Sequence, residues 1–484
     1  MRPVPRPDRL SALDAAFLDL ETPAAPLHVG WTLCFEGRPP NLAALRRHVD
    51  ARLDALPRFR RRVVRPRLGM GDPHWADDGS FDVARHVSAM TLAPPAGDGE
   101  LRALAGTLLS RPLDPVRPLW QLVLVDGLAG GGFALVGQAH HALVDGIAAV
   151  EVAQLLFDGA GPATASRWTP ARPPSPAESA GAAAGLRAGG LLRGARAAAR
   201  ALTAASPRAL RTSTGMLAEA RDALSGLVAP APQTALDRTA GPARLVAYAD
   251  EPFDDVRAAA HRHGATVNDA LLAAAALALR SALRRRGERP HALKALVPVN
   301  VRGDGAPSLG NRISFIAADL PVSDDDPVAV LRLIRSQTRA RKEAGHAGPL
   351  DAIARAADLL PDGGRRAVAR VIAVAASFNA VISNVPGPPV PLTLLGRRLS
   401  AIFPAVPFLD GHALSICAIS YNGRLQCGLY ADAAVVPDAV DVARDLEAAF
   451  AALRAAPPRP RPPWQGRART RRDLRLAREV TPTP

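Results

Sequence analysis

Residues 138–146 read Gln-Ala-His-His-Ala-Leu-Val-Asp-Gly and carry the strongest functional signal in the chain. They follow a strand-like run at 133–137 and precede residues 147–153, whose apolar and small residues predict a buried helix. Neighbouring side chains of a strand point to opposite faces, so His140 and His141 cannot share one environment. We expect one imidazole to face a cavity and the other to pack or hydrogen-bond behind it.

The chemistry of these residues is compatible with catalysis, which the family resemblance given below favours over metal binding. Histidine titrates near neutral pH, so it can take a proton from a hydroxyl or a thiol. Asp145 is placed for a structural ion pair, and Gly146 permits a tight turn. A strand histidine is often only a packed or surface residue, and imidazoles also bind metals. No cysteine, glutamate or i+4 histidine accompanies the pair, so we expect no metal.

The pattern resembles the HHxxxDG motif of CoA-dependent acyltransferases with the chloramphenicol-acetyltransferase fold. Other segments resemble motifs of the bacterial wax ester synthase/diacylglycerol acyltransferase family. They lie at residues 10–18, 21–23, 27–30, 117–120, 266–269, 298–302, 309–312 and 383–388. Because these segments follow the family's order from residue 10 to about residue 450, together they are more specific than any single motif.

The resemblance implies a mixed α/β fold of two chloramphenicol-acetyltransferase-like domains, with a tunnel between them and the histidine pair at its midpoint. It implies an O-acyltransferase that moves a long-chain acyl group from coenzyme A to diacylglycerol, a fatty alcohol, or both. The products would be triacylglycerol and wax esters. His141, the second histidine of the motif next to His140, would be the general base. Acyl-CoA is then a substrate, and no cofactor is expected.

The remaining site residues follow from the same resemblance. Asn268 is the candidate donor to the negative charge that develops on the thioester oxygen, and Ser383 is a second candidate. Both could instead be an ordinary helix-start residue and strand residue. Arg302 is the expected ion-pair partner of Asp145, although a solvated loop arginine is the commoner alternative. Trp120 is expected to shape the packing near the tunnel.

Composition divides the chain into four parts. We predict an N-terminal domain over residues 1–158, an Ala/Arg/Pro-rich helical linker over 159–243, a C-terminal domain over 244–456 and a disordered basic tail over 457–484. Local patterns predict a hairpin that leads into the histidines, a helix over 270–284 with Thr266 as N-cap, and a hairpin turn at Asn422-Gly423.

The net charge of +15 is not a nucleic-acid signature. Nearly all the basic residues are arginines, and Lys294 and Lys342 are the only lysines, which together with abundant Ala, Pro and Gly indicates a GC-rich genome. An aromatic content of 4% leaves few platforms for stacking nucleic-acid bases. An anionic membrane surface or the phosphates of coenzyme A are better partners than nucleic acid.

The expected cellular location depends on the absence of a disulfide framework, a signal region and a membrane span from the sequence. The three cysteines are too few and too dispersed for a disulfide framework, and the N-terminus has no apolar signal region. The longest apolar run, residues 270–279, is shorter than the roughly 20 residues of a membrane span. We therefore expect a cytoplasmic protein that associates peripherally with the inner membrane face or with lipid droplets.

Two other functions stay open at this point. One is an acyltransferase that uses a carrier-protein thioester and a polyketide-type diol, with the arginine-rich tail contacting an acidic carrier. The other is a catalytically silent lipid-binding protein at storage droplets. The sequence leaves the acyl chain length, the acceptor and the oligomeric state undetermined.

Overall fold

The structure, a computed structural model, describes most of the chain. The described residues are 8–65, 73–144, 156–160, 168–175, scattered positions between 177 and 196, 229–238, 241–289, 291–300, 313–343, 360, 362–375 and 377–457. Asp145, Gly146, Arg302, the predicted helix at 147–153, most of the predicted linker and residues 458–484 of the predicted tail lie outside these ranges.

Eight α-helices are described. They are α1 Ala12–Leu20, α2 Leu42–Asp50, α3 Asp98–Leu109, α4 Phe253–Arg262, α5 Val267–Arg285, α6 Pro327–Glu343, α7 Asp362–Ala375 and α8 Ala439–Ala455. Ser11 caps α1 by accepting the amide of Asp14, and Asn41 caps α2 by accepting the amide of Ala43, which satisfies donors left free at a helix start.

Fifteen β-strands are described. They are β1 Asp8–Arg9, β2 His28–Phe35, β3 Arg61–Val64, β4 His74–Asp77, β5 Val87–Ala96, β6 Trp120–Leu128, β7 Phe133–His140, β8 Arg244–Pro252, β9 Leu293–Asn300, β10 Ile313–Leu320, β11 Ala380–Pro386, β12 Thr393–Leu394, β13 Arg397–Ala405, β14 Leu414–Tyr421 and β15 Arg424–Asp432.

The strands form two mixed sheets of six strands and one small sheet. The C-terminal sheet has the order β10-β9-β11-β14-β15-β8, and the N-terminal sheet has the order β12-β13-β2-β7-β6-β5. The pair β12–β13 comes from the C-terminal half of the sequence yet extends the N-terminal sheet, because β13 pairs antiparallel with β2. Each half of the sequence therefore contributes to the sheet that carries the histidines.

Two apolar cores lie within the halves and a third lies between them. Helices α5 and α8 pack on the C-terminal sheet, while α2 packs on one face of the N-terminal sheet. The third core joins α3 and the other face of the N-terminal sheet to Val246, Leu296 and Val381 of the C-terminal sheet. This interface fixes the two halves against each other and positions the site described below.

Local sequence signals match the structure closely. Strands β6 and β7 form the predicted hairpin, and Thr266 caps α5 in a reciprocal capping box with Asp269. The turn between β14 and β15 has positive φ at both central residues, 44° at Asn422 and 78° at Gly423, as a type I′ hairpin requires.

Within the described residues, no single helix is long and apolar enough to cross a membrane. The pair α4 and α5 passes that test only when taken together, and it is bent by 94°.

Candidate active site

The histidine pair lies at the end of a central strand of the N-terminal sheet. His140 is the last residue of β7, and its amide donates to the carbonyl of Leu119 at 2.9 Å. The amide of His141 donates to the carbonyl of Leu27 at 2.9 Å, which ties the second histidine to the segment that leads into β2. Both backbones are thus held by neighbouring segments, and the two side chains diverge.

His141 lines a cavity between the two halves of the molecule. Its ring stacks on Phe17 of α1, with the ring centroids 4.0 Å apart and the planes 7° from parallel. The cavity has about 940 Å³ of empty space, including its open mouth. Apart from His141 its walls are apolar, contributed by α1, by Leu296, Pro298 and Phe315 of the C-terminal sheet, by α7, and by residues 406–409. His141 is the only titratable side chain that lines this cavity among the described residues.

His140 lies behind this cavity and is almost fully buried. The amide of Ala142 donates to its Nδ1 at 3.0 Å, so that nitrogen is unprotonated and the ring proton resides on Nε2. Nε2 lies 3.6 Å from Oε2 of Glu21, which is longer than an ordinary hydrogen bond. Burial acts to raise the pKa of Glu21, but the contacts with His140 and with the amide of Leu27 outweigh it, and the pKa lies below its usual value.

A third histidine, His28 of β2, lies beside His140 in the sheet register. Its Nε2 donates to the carbonyl of Leu109 at 2.7 Å, and Tyr430 donates to the same carbonyl at 3.1 Å. Burial lowers the pKa of His28 to about 4, so this ring is neutral at physiological pH. Because Tyr430 belongs to β15, the shared carbonyl connects His28 of β2, which pairs with β7, to the C-terminal sheet.

Arg244 reinforces this connection from the start of β8. It forms a fully buried ion pair with Asp432 at 3.3 Å and donates to the carbonyl of Ala24, in the turn before β2. Its guanidinium also lies over the rings of Phe408 and Tyr430. A buried charge needs such partners, because leaving it unpaired costs several kcal/mol.

A second cavity lies on the α2 side of the N-terminal sheet. It has about 1110 Å³ of empty space, including its mouth, and its walls are almost entirely aliphatic and aromatic. Val406, which follows β13, lines both this cavity and the one that contains His141. Strand β11 also runs past both, because Val381 lines the histidine cavity and Val385 lines the second cavity.

Ser383 occupies the position between these two valines. Residues 381, 383 and 385 share one face of the strand, since side chains alternate with a period of two. Ser383 is buried and pairs in register with Cys417, which lines the second cavity. Burial raises the pKa of the Cys417 thiol to about 12, against the opposing effect of a hydrogen bond with Ser383. The thiol is therefore not a nucleophile at neutral pH.

The structure does not bring every predicted site residue to His141. Asn268 is the second residue of α5 and is not among the side chains that line the histidine cavity. Its neighbour Asp269 accepts from Thr338 of α6 at 2.7 Å, which fixes this end of α5 against a helix. Trp120 lies in the N-terminal core, donates to the carbonyl of Phe59 at 2.7 Å and lines neither apolar cavity.

The sequence interpretation assigns no role to two residues that the structure places at the site. Phe17 and Glu21 both lie in the segment whose sequence resembles the family's opening, but neither residue is chemically conspicuous on its own. They come close to the histidines because β2, which follows this segment, pairs with β7. In the part of the chain that the structure describes, no group of three or more His, Cys, Asp or Glu side chains is arranged to hold a metal ion.

Comparison with known proteins agrees with this arrangement. Residues 10–271 match the wax ester synthase/diacylglycerol acyltransferase catalytic domain, and residues 309–454 match the C-terminal domain of the same family. The chain belongs to this family. It is accordingly an acyltransferase enzyme, as the sequence predicts.

The similarity to individual family members extends over nearly the whole chain. A probable diacylglycerol O-acyltransferase, tgs1, of Mycobacterium tuberculosis is 32% identical over 92% of this chain and 96% of its own length. A putative diacylglycerol O-acyltransferase of Mycobacterium bovis is 33% identical over 88% of this chain and 87% of its own length.

Solved structures show the same two-domain fold. A wax ester synthase/diacylglycerol acyltransferase from Marinobacter aquaeolei is 25% identical, with a TM-score of 0.63 over 92% of this chain and 98% of that one. The first condensation domain of the calcium-dependent antibiotic synthetase has a TM-score of 0.58 at 16% identity, over 94% of this chain and 97% of that one. These neighbours confirm the predicted fold class of two chloramphenicol-acetyltransferase-like halves.

Proposed function

We propose that this enzyme transfers a long-chain acyl group from coenzyme A to the hydroxyl of diacylglycerol or of a fatty alcohol, with His141 as the general base. The observation that carries the proposal is the position of His141, which among the described residues is the single titratable group on the wall of an otherwise apolar cavity between the two halves. An imidazole in such a place can reach a hydroxyl on a lipid while the surrounding wall excludes water.

The reaction requires one base and no covalent intermediate. His141 takes the proton from the acceptor hydroxyl as its oxygen attacks the thioester carbonyl and forms the new C–O bond. When the C–S bond breaks, the thiolate of coenzyme A leaves and receives that proton from the imidazolium. General-base catalysis of this kind contributes about 10²–10⁴ in rate. The parallel stacking of His141 on Phe17 supports a fixed ring orientation during both transfers.

The oxygen of the thioester carbonyl needs a hydrogen-bond donor while its negative charge develops. Of the two candidates, Ser383 is favoured by its position on the strand that borders both cavities. Neither side chain is among the described residues that line the histidine cavity, but Asn268 lies at the start of α5 rather than on that strand and is therefore less favoured. Asp145 and Arg302 remain the proposed ion pair that holds the histidine loop, and Gly146 remains its proposed turn residue.

The second cavity is proposed to hold the acyl chain. In the part of the chain that the structure describes, its wall has no titratable side chain other than the thiol of Cys417, so it offers an alkyl chain a surface without competing hydration. Its contact with the histidine cavity at Val406 would allow the thioester to lie near His141 with the chain extending away. The names of the relatives support diacylglycerol as an acceptor.

Peripheral binding to a membrane or lipid droplet completes the proposal. Both substrates carry long alkyl chains, and the net charge of +15 favours an anionic surface. Flotation with phosphatidylglycerol vesicles is expected to carry the protein upward at low salt and to release it at high salt. Equal recovery with neutral phosphatidylcholine vesicles would contradict the electrostatic part of this binding.

A two-acceptor assay tests the function. Purified protein receives radiolabelled palmitoyl-CoA with either dioleoylglycerol or hexadecanol, and the products are separated by thin-layer chromatography. Triacylglycerol, wax ester or both are expected. Folded protein that gives neither product, but transfers from an acyl carrier protein or binds lipid without turnover, would refute the proposed substrates.

A further inference from the structure

One carboxylate oxygen of Glu21 faces His140, and the other accepts the amide of Leu27, whose carbonyl binds the backbone of His141. Glu21 immediately follows α1, and its backbone amide donates to the carbonyl of Phe17, the residue whose ring stacks on His141. The side chain turns from there toward the end of β7. Each of its oxygens reaches a different histidine, one by a direct contact and one through a peptide group.

The first oxygen, Oε2, faces His140. The ring proton of His140 resides on Nε2, because Nδ1 accepts the amide of Ala142. At 3.6 Å, the carboxylate lies on the side of the ring that carries this proton. A negative charge there favours this tautomer, because the other tautomer would direct an unprotonated Nε2 at the carboxylate. It also favours this ring orientation, because a ring flipped by 180° would place Cε1 rather than Nε2 on the side of the carboxylate.

The second oxygen, Oε1, reaches His141 through the backbone. It accepts the amide of Leu27 at 3.1 Å, and the carbonyl of that residue accepts the amide of His141 at 2.9 Å. The peptide groups of Leu27 therefore connect the carboxylate to the backbone of the proposed base. A displacement of Glu21 would be transmitted to the position from which the His141 ring projects.

The segment between Glu21 and Leu27 is itself rigid. Thr22 and Ala25 form a reciprocal pair of backbone hydrogen bonds, at 3.1 and 3.3 Å, and the Thr22 hydroxyl accepts the amide of Ala25 at 3.0 Å. Arg244 of the C-terminal sheet holds the turn from the other side by donating to Ala24. The carboxylate is thus presented by a turn that both halves of the molecule fix.

We propose that Glu21 is a positioning residue for the catalytic histidine pair, acting on His140 through its charge and on His141 through the peptide of Leu27. This inference rests on the proposed function, because it takes His141 to be the base. Groups that orient metal-ligating histidines from behind contribute about 10–100-fold to affinity or activity, and we take the same magnitude for this pair. A loss of that size, in turnover rather than in substrate binding, is expected when the charge is removed.

The test uses Glu21→Gln and Glu21→Ala in the full-length protein. Glutamine keeps the length of the side chain and an oxygen for the Leu27 amide, but it removes the charge opposite His140. Alanine removes both contacts. Glu100→Gln is the matched control, because Glu100 also accepts a backbone amide, that of Gly97 at 2.9 Å, but at the remote start of α3.

For Glu21→Gln, kcat with palmitoyl-CoA and dioleoylglycerol is expected to fall about 10–100-fold. KM and the melting temperature should stay close to those of the wild type. Glu21→Ala should lose at least as much, and Glu100→Gln should match the wild type. Wild-type kcat in Glu21→Gln would overturn the proposal. A fall in kcat accompanied by an equally large loss of folded protein would also overturn it, because the role would then be structural.

The same assay separates this proposal from the one on which it rests. His141→Ala is measured beside the Glu21 variants. If His141→Ala keeps the wild-type rate, the base assignment fails whatever Glu21 does. If His141→Ala is inactive while Glu21→Gln is fully active, only the positioning role of Glu21 fails.

Discussion

Val385→Trp tests whether the second cavity holds the acyl chain. Val385 is 9% exposed and lies on the cavity wall, on the strand that also carries Ser383. The indole would occupy the space of roughly four methylene groups of a bound chain, and each buried methylene is worth about 0.8 kcal/mol. The chain would lose about 3 kcal/mol of binding, which corresponds to roughly 200-fold in kcat/KM for a long acyl group.

The assay compares palmitoyl-CoA with hexanoyl-CoA at a fixed concentration of dioleoylglycerol. The variant should lose much more activity with the long donor than with the short one, because a six-carbon chain occupies much less of the cavity than a sixteen-carbon chain. Val390→Trp is the control, since Val390 is 58% exposed and lies after the same strand. An equal loss with both donors, or no loss with either at an unchanged melting temperature, would refute the assignment of this cavity.

Three further changes test other parts of the site. In steady-state assays, Ser383→Ala should lower kcat about 10²-fold, whereas Asn268→Ala should change it little. A larger loss of kcat in Asn268→Ala than in Ser383→Ala would assign the hydrogen-bond donor to Asn268 instead. The pKa of His28 is about 4 in the folded protein, against an ordinary value of 6.5, so the unfolded chain binds the proton more readily. The free energy of unfolding should therefore fall by about 3 kcal/mol as the pH is lowered from 6.5 to 4. His28→Gln should remove that part of the pH dependence in urea denaturation, and identical pH profiles would contradict it. Asp432→Asn should lower the free energy of unfolding by about 3–5 kcal/mol, because Arg244 keeps its buried charge without a counter-ion; a loss below about 1 kcal/mol would argue against that role.

The parts of the fold that were predictable depend on local chemistry. The capping box at Thr266 and Asp269 is complete within four residues, and the Asn422-Gly423 turn requires positive φ at two adjacent positions. The sequence also predicts that His140 and His141 occupy different environments, and the structure separates them, with His140 as the last residue of β7 and His141 directly after the strand. These features follow from the sequence because their partners are neighbours in the chain.

The long-range parts of the site were not predictable from periodicity. Strand β13 joins the N-terminal sheet from more than 350 residues away, and nothing in its local pattern selects β2 as its partner. The stacking of Phe17 on His141 and the contact between Glu21 and His140 both depend on the pairing of β2 with β7. An ordinary phenylalanine and glutamate acquire these positions only in the folded protein.

The resemblance to the family identified the enzyme class, but the sequence alone does not separate motif residues that contact the substrate from motif residues that serve the fold. Asn268 belongs to a matching segment and lies at the second residue of α5, where its neighbour Asp269 contacts Thr338, and its role as a donor stays a prediction. Trp120 is explained by its bond to the carbonyl of Phe59 in the N-terminal core. A motif residue can therefore serve the fold, and only geometry separates that role from catalysis.

The central claim is that the imidazole of His141 accepts the proton of the acceptor hydroxyl. The most direct measurement is the rate of acyl transfer from radiolabelled palmitoyl-CoA to dioleoylglycerol by His141→Ala, at an unchanged melting temperature. The rate is expected to fall by at least about 10²-fold. A folded variant that keeps a rate within about threefold of the wild type would contradict the claim, because the loss of a general base cannot be that small.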